Sequence, residues 1–236
     1  YEPLLPRDEP ILEAGCGLGP KLFYFQNKGY RIVGVDYLVS PLLRVKRTWP
    51  RLPLAAADVH HCPFPDAAFG AYLSYGVVEH FPRGPEPALK EARRILKPGG
   101  LLVLLVPADN PWTRFVYNEN NILHRLRRHR GIRKLFRKPP LPPSEDAASY
   151  FKLFGREEMR RILHRVGFSL LLDRPVSHSF NLYLGCECFQ RDAEGGTHRW
   201  AEGLAAVMRR ICPWSSANHL LFVARKADAW PDDYRS

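Results

Sequence analysis

Three glycines at alternate positions, Gly15, Gly17 and Gly19, follow a short apolar run and stand just before Pro20 and a Leu/Phe-rich stretch. Glycine permits a tight turn and clears side chains from a ligand's path, so the loop suits close approach of a ligand to bare backbone. Two acids recur at matching places: Asp36 closes the run Arg31 to Val35, and Asp58 follows Leu54 to Ala57. Asp36 is placed to accept both hydroxyls of a ribose, each charged hydrogen bond contributing about 1.5–3 kcal/mol. Asp58 is placed to accept from an adenine amino group. Polar contacts at the carboxyl ends of successive strands are where an open α/β sheet binds nucleotides. A dinucleotide would want Gly-x-Gly-x-x-Gly, whereas here the third glycine is at 19 and position 20 is proline.

The elements that hold these residues alternate strand and helix, the pattern of a parallel sheet covered by helices. Pro10 to Ala14 predicts a first strand, and Pro20 sits at a first helical position where its missing N–H costs nothing. Ser40-Pro41 predicts an N-cap and first turn. Ala71 to Ser74 predicts a fourth strand, and Glu86 to Leu96 a helix stopped by Lys97-Pro-Gly-Gly100. Leu101 to Val106 shows no polar alternation and predicts a strand buried on both faces. Trp112 to about Arg130 predicts a helix broken at Gly131; Ile132 to Arg137 adds a further turn or two, ended by Pro139, Pro140, Pro142 and Pro143. Arg156 to Val166 predicts a helix, Phe168 to Leu172 a strand, Trp200 to Ile211 a helix and His219 to Ala224 a final strand. No repeat and no linker is visible. One domain is expected, with a core over about 10–107, a helical insert over about 108–150 and C-terminal elements over about 151–225.

In order and at the right spacing, Glu13-x-Gly-x-Gly-x-Gly19, Val35-Asp36, Ala57-Asp58 and Leu96-Lys-Pro-Gly-Gly-Leu101 resemble the motifs of class I S-adenosylmethionine-dependent methyltransferases. They are most similar to the small-molecule branch that includes quinone-biosynthesis enzymes. The resemblance covers about residues 10–107 strongly and the region after Tyr150 weakly. It implies a Rossmann-like, mostly parallel sheet of seven strands with helices on both faces, and a basic helical insert after the fifth strand. It implies S-adenosylmethionine as cofactor, with Glu13, Gly15, Cys16 and Gly17 around the methionine part. Asp36 would serve the ribose, Asp58 and Val59 the adenine, Tyr37 would belong to the cofactor site, and Tyr75 would touch the cofactor or frame the pocket. Two departures stand out. The usual Phe-Asp before the fourth strand is Phe69-Gly70, and the helix that normally covers the cofactor has no counterpart; because the chain opens at Tyr1, an N-terminal segment is expected to be missing.

For the acceptor, Ser74-Tyr-Gly-Val77 lacks the Asn/Asp-Pro-Pro-Tyr of amide- and adenine-methylating relatives. Glu79-His80 resembles the Glu-His of the small-molecule branch, so His80 is the candidate base for an acceptor hydroxyl, with packing of the following turn as its other role. Tyr150, Phe151 and Phe154 are candidate pocket walls. Neither His60-His61-Cys62 nor Cys186-x-Cys188 has zinc spacing, and no metal site is expected.

Of the 236 residues 45% are hydrophobic and 25% charged, which is too apolar for a disordered chain. Five cysteines without framework spacing point to a reducing compartment, and the cytoplasm is expected. No apolar run approaches the roughly 20 residues of a membrane span. The formal charge of +11 is local: Arg125, Arg127, Arg128, Arg130, Arg133, Lys134, Arg137 and Lys138 leave the rest of the chain at +3. This run over 122–138 reads as a solvated face or as a peripheral contact with an anionic membrane, at about 1 kcal/mol per basic residue. An RNA groove ranks last, having no recognition module. Three functions are therefore carried forward: methyl transfer to a small or lipid-linked molecule, methylation of RNA gripped by the basic run, and a catalytically silent binding protein.

Overall fold

The computed structural model describes residues 1–118, 150–185, 189–191 and 196–228. The basic run over 122–138 and the Cys186-x-Cys188 pair lie outside the described residues. Contacts divide the chain into two compact units. The first comprises Tyr1–Pro107, Phe151–Arg174 and the described residues from Leu221; the second comprises the described residues of Ala108–Tyr150 and Pro175–Leu220.

Unit one holds a seven-stranded sheet in the order β3-β2-β1-β4-β5-β7-β6. Its strands are β1 (Ile11–Ala14), β2 (Ile32–Asp36), β3 (Leu54–Ala56), β4 (Phe69–Tyr75), β5 (Leu96–Pro107), β6 (Phe168–Val176) and β7 (His219–Lys226). The pairs β1–β2, β1–β4, β2–β3 and β4–β5 are parallel. Ala14 lies level with Val35 on one side and Ser74 on the other, so the carboxyl ends of β1, β2 and β4 finish together. The chain runs outward from β1 through β2 to β3, then returns to build β4 on the other side. That reversal makes a crevice at those carboxyl ends.

Helices α1 (Pro20–Asn27), α2 (Val39–Thr48), α3 (Glu86–Ile95) and α5 (Arg156–Arg165) belong to this unit, α4 (Pro111–Tyr117) to the other. In α3, Ala88, Leu89, Ala92 and Ile95 fall on one buried stripe at helical spacing, which is why this charged segment docks. The core of unit one joins Ile11, Leu22, Phe25, Ile32, Val45, Leu73, Val103 and Val223.

Local expectations are corrected at three places. The second helix starts at Val39 with Leu38 as N-cap, so Ser40 does not cap it; the Asp36 carboxylate accepts from Leu38 N at 2.9 Å instead. Strand β5 begins at Leu96, not Leu101: Phe69 pairs with Leu96 and Ala71 with Leu101, and Lys97–Gly100 bulges between. A breaker cluster ends a helix, yet in a sheet it can be carried as a bulge. The helix expected from Trp112 to about Arg130 ends at Tyr117, where Asn118 takes extended backbone. At Gly70, the departure already visible in the sequence, Glu9 and Pro6 occupy the space a Cβ would need.

Unit two contains α4, α6 (His178–Gly185), α7 (Arg199–Ile211) and α8 (Pro213–Ser216). Asn110 caps α4, its Oδ1 accepting from Thr113 N at 2.9 Å, as its position before Pro111 favours. Periodicity did not predict α6, whose packing mixes polar and apolar contacts: Asn181 is fully buried and donates to Ser216 O at 3.0 Å, and Leu182 packs with Ala201 and Ala205.

Candidate active site

The glycine loop is stitched to the end of β2. Gly15 N and Cys16 N both donate to Val35 O, at 2.8 and 2.9 Å. All three loop glycines have positive φ, at 74°, 51° and 70°, which an L side chain rarely adopts. A Cβ on Gly15 would be driven into Val77, whereas one on Gly17 would meet nothing within 4 Å. The backbone of Gly17 therefore faces open space. Its N–H donates to Asp36 Oδ2 at 2.8 Å. With Leu38 on Oδ1, each Asp36 oxygen has spent one acceptor position and retains another.

Glu13 sits one residue before the end of β1 and is only 3% exposed. Burial pushes its carboxyl up to about 7, against Lys21 and a Leu22 backbone hydrogen bond that pull it down. Its Oε2 is buried with no hydrogen-bond partner. Cys16 beside it is pushed up to about 12 by burial and then by the Glu13 and Asp36 charges, so its thiol stays protonated and is no nucleophile. Across the crevice floor, at the end of β4, Tyr75 shares a 2.7 Å hydroxyl–hydroxyl hydrogen bond with Tyr1. Burial raises the Tyr75 hydroxyl far above its ordinary value, with Tyr1 and Glu13 adding to the effect.

Asp58 and Val59 follow β3. Val59 is buried; Asp58 is half-exposed. One Asp58 oxygen accepts from His60 N at 2.9 Å and approaches His60 Nδ1 at 2.7 Å. Those bonds, the backbone one first, hold its carboxyl below the usual range. The His60 ring leans on Phe81 with centroids 4.3 Å apart. Arg94 secures the segment that follows, donating to Cys62 O, Phe64 O, Glu91 and Asp66.

Beyond β4, Val78–His80 forms a 3-10 turn. Glu79 is 3% exposed, burial raises its carboxyl, and its Oε2 has no partner. Its carbonyl accepts from Lys152 N at 3.0 Å. His80 is exposed, and its ring lies 5.8 Å from that of Phe151. Phe154 is fully buried, a core residue whose N–H donates to Pro107 O at 2.9 Å.

A methyltransferase domain model matches residues 12–104. A Mycolicibacterium smegmatis protein bearing the name of an S-adenosylmethionine-dependent methyltransferase is 29% identical over 97 residues, 41% of this chain and 37% of that one. The demethylmenaquinone methyltransferase of Streptomyces avermitilis is 32% identical over 114 residues, 47% and 48% of the two chains. A solved S-adenosylmethionine-dependent methyltransferase of Methanosarcina mazei shares the fold at TM-score 0.63 and 16% identity, covering 96% of each chain. This chain carries a class I methyltransferase domain. The chain spans less than half the length of these two curated relatives.

The cofactor of a class I methyltransferase domain is S-adenosylmethionine, and the crevice fits it. The unpartnered oxygen of buried Glu13 calls for a cation, which the cofactor supplies as sulfonium and ammonium. Gly17 leaves room along the backbone, and Asp36 keeps acceptor capacity for hydroxyls. The fold brings Glu13, Gly15, Cys16, Gly17, Asp36 and Tyr75 together at the ends of β1, β2 and β4. Asp58 joins them through the backbone, Ala57 N donating to Asp36 O at 3.1 Å. Tyr37 is 75% exposed and its side chain makes no hydrogen bond among the described residues. Sequence reasoning did not count Tyr1, Lys21 or Glu79 as site residues. Glu79 had a signal, a carboxylate between Val78 and His80 in an otherwise apolar turn; Tyr1 and Lys21 had none.

Proposed function

We propose that this methyltransferase moves a methyl group from S-adenosylmethionine to a small or lipid-linked acceptor carrying a hydroxyl. The observation that carries the reading is the buried, half-unsatisfied carboxyl of Glu13 behind a glycine loop that hydrogen-bonds Asp36. When bound, S-adenosylmethionine supplies an activated methyl on a sulfonium leaving group, which leaves the protein mainly the task of alignment.

Glu13, Gly15 and Gly17 hold the methionine part, Asp36 the ribose, and Asp58 with Val59 the adenine. His80, exposed beside the Phe151 ring, takes the proton from the acceptor hydroxyl. The similarity to a demethylmenaquinone methyltransferase supports a quinone-like, lipid-linked acceptor over RNA. The paired carboxylate and glycine loop disfavour a silent copy, which has no need to keep them together. No helix among the described residues is long and apolar enough to cross a membrane. A peripheral contact through 122–138 is part of the proposal, tested by liposome flotation with the eight charges neutralised.

Calorimetry with S-adenosylmethionine and S-adenosylhomocysteine tests the cofactor; binding of neither overturns the reading. Transfer of isotope-labelled methyl to hydroxylated quinones, with RNA as the competing substrate, tests the acceptor. His80→Ala is expected to lower kcat by about a hundredfold with cofactor affinity unchanged.

A further inference from the structure

Lys21 occupies the second position of α1, next to Pro20, with no acidic residue in that first turn. A positive charge there opposes the helix dipole, which favours anions at its N-terminus. The placement has a local cause. The Lys21 ammonium lies 4.2 Å from the centroid of the Tyr75 ring, over its face. That ring is also held by the hydroxyl bond to Tyr1, whose own ring centroid lies 6.4 Å away. Lys21 is also the largest influence pulling the buried Glu13 carboxyl back toward its charged form. No carboxylate stands within ion-pair distance of Lys21 among the described residues. It therefore meets Glu13 through space and Tyr75 through the ring face.

We propose that Lys21 is a resident cation of the cofactor cleft, holding over Tyr75 and near Glu13 a place that a cationic group of the cofactor takes on binding. This rests on the S-adenosylmethionine reading above. The consequence is selective. S-Adenosylmethionine carries one more positive charge than S-adenosylhomocysteine, so Lys21 weakens the first relative to the second. It thus sets how strongly the spent, neutral cofactor competes with the fresh one.

The test is calorimetry of the full chain and its Lys21→Met and Lys21→Arg variants with both cofactor forms. The Met side chain preserves the apolar stem, and a thermal-unfolding check accompanies each variant. Lys21→Met is expected to shift the ratio of the two Kd values toward S-adenosylmethionine by about three- to tenfold, the range of a cation–π contact plus its screened charge. Lys21→Arg is expected to restore the original ratio. An unchanged ratio in Lys21→Met overturns the proposal, including the case in which both affinities fall together because Lys21 merely grips the cofactor's carboxylate. If Lys21→Met does not fold, Lys21→Gln carries the same expectation. Failure of the unmodified chain to bind either form sinks the S-adenosylmethionine reading itself, whereas an unchanged ratio with intact binding sinks only the role of Lys21.

Discussion

The two units bury polar groups in opposite ways. In unit one the crevice buries, beside the neutral Ser74, two carboxyls, Glu13 and Glu79, each with one oxygen unpartnered. In unit two the buried polar side chains are neutral and bonded mainly to one another, although His178 Nε2 and Asn218 Oδ1 are left without a partner among the described residues. Asn110 donates to Ala217 O at 2.7 Å, Thr113 donates to the same carbonyl at 3.1 Å, and Asn218 donates to Asn181 Oδ1 at 2.6 Å. His178 Nδ1 and Ser216 Oγ complete the set at 2.9 Å. Neutral groups bonded mainly to one another specify packing, and an unmet neutral atom there costs less than a buried acid without a partner, which awaits a ligand. The difference teaches which polar residues to assign to function.

The largest expected effect lies in the neutral network. Asn110→Ala removes the α4 cap and strips bonds from the Trp214 and Ala217 carbonyls. Chemical denaturation is expected to show a loss of about 3–4 kcal/mol, cap and unsatisfied carbonyls together. A loss under 1 kcal/mol would mean that the network adds no specificity.

Glu13→Gln should act with the opposite sign. The folded protein holds the Glu13 carboxyl at about 7, above its ordinary 4.5, so it binds a proton more tightly than the unfolded chain. The stability this contributes is full below about pH 4.5 and is lost as pH rises through 7. The lost amount is about 3 kcal/mol. Urea midpoints of the cofactor-free protein between pH 5 and 8 should therefore fall with pH, and Glu13→Gln should flatten the slope and gain stability at pH 8. Persistence of the slope in the variant would assign it to another group. The same variant should bind S-adenosylmethionine more weakly, the trade expected of a functional charge.

Asp36→Ala has the smallest effect of the three, at least about a tenfold loss in cofactor affinity, equivalent to about 1.4 kcal/mol. Isothermal titration reads it directly. Unchanged affinity would remove Asp36 from the ribose site.

Much of the crevice was legible because its signals are local. Gly15, Gly17 and Gly19 mark backbone that needs positive φ, Pro20 marks a helix start, and Asp36 stands where an apolar strand stops. Reading failed where one residue's role depends on a distant one. Ser40 has the chemistry of a cap, but Asp36 reaches Leu38 first and the helix begins two residues earlier. Helix α6 has no clear apolar periodicity to reveal it, because its buried face mixes His178 and Asn181 with the single core residue Leu182. Lys21 is an ordinary helix lysine until β4 brings Tyr75 beneath it, 54 positions along the chain.

By itself the sequence determined the strand–helix alternation, the glycine turn and the acids at the strand tips, since each follows from backbone preference and spacing within a few residues. Only the tertiary structure decided that Glu13 is buried with an oxygen unmet, that Tyr1 braces Tyr75 and that a cation already lies over that ring. Burial and long-range pairing are properties of the packed whole, where the environment of each charge is set by segments that the chain order keeps far apart.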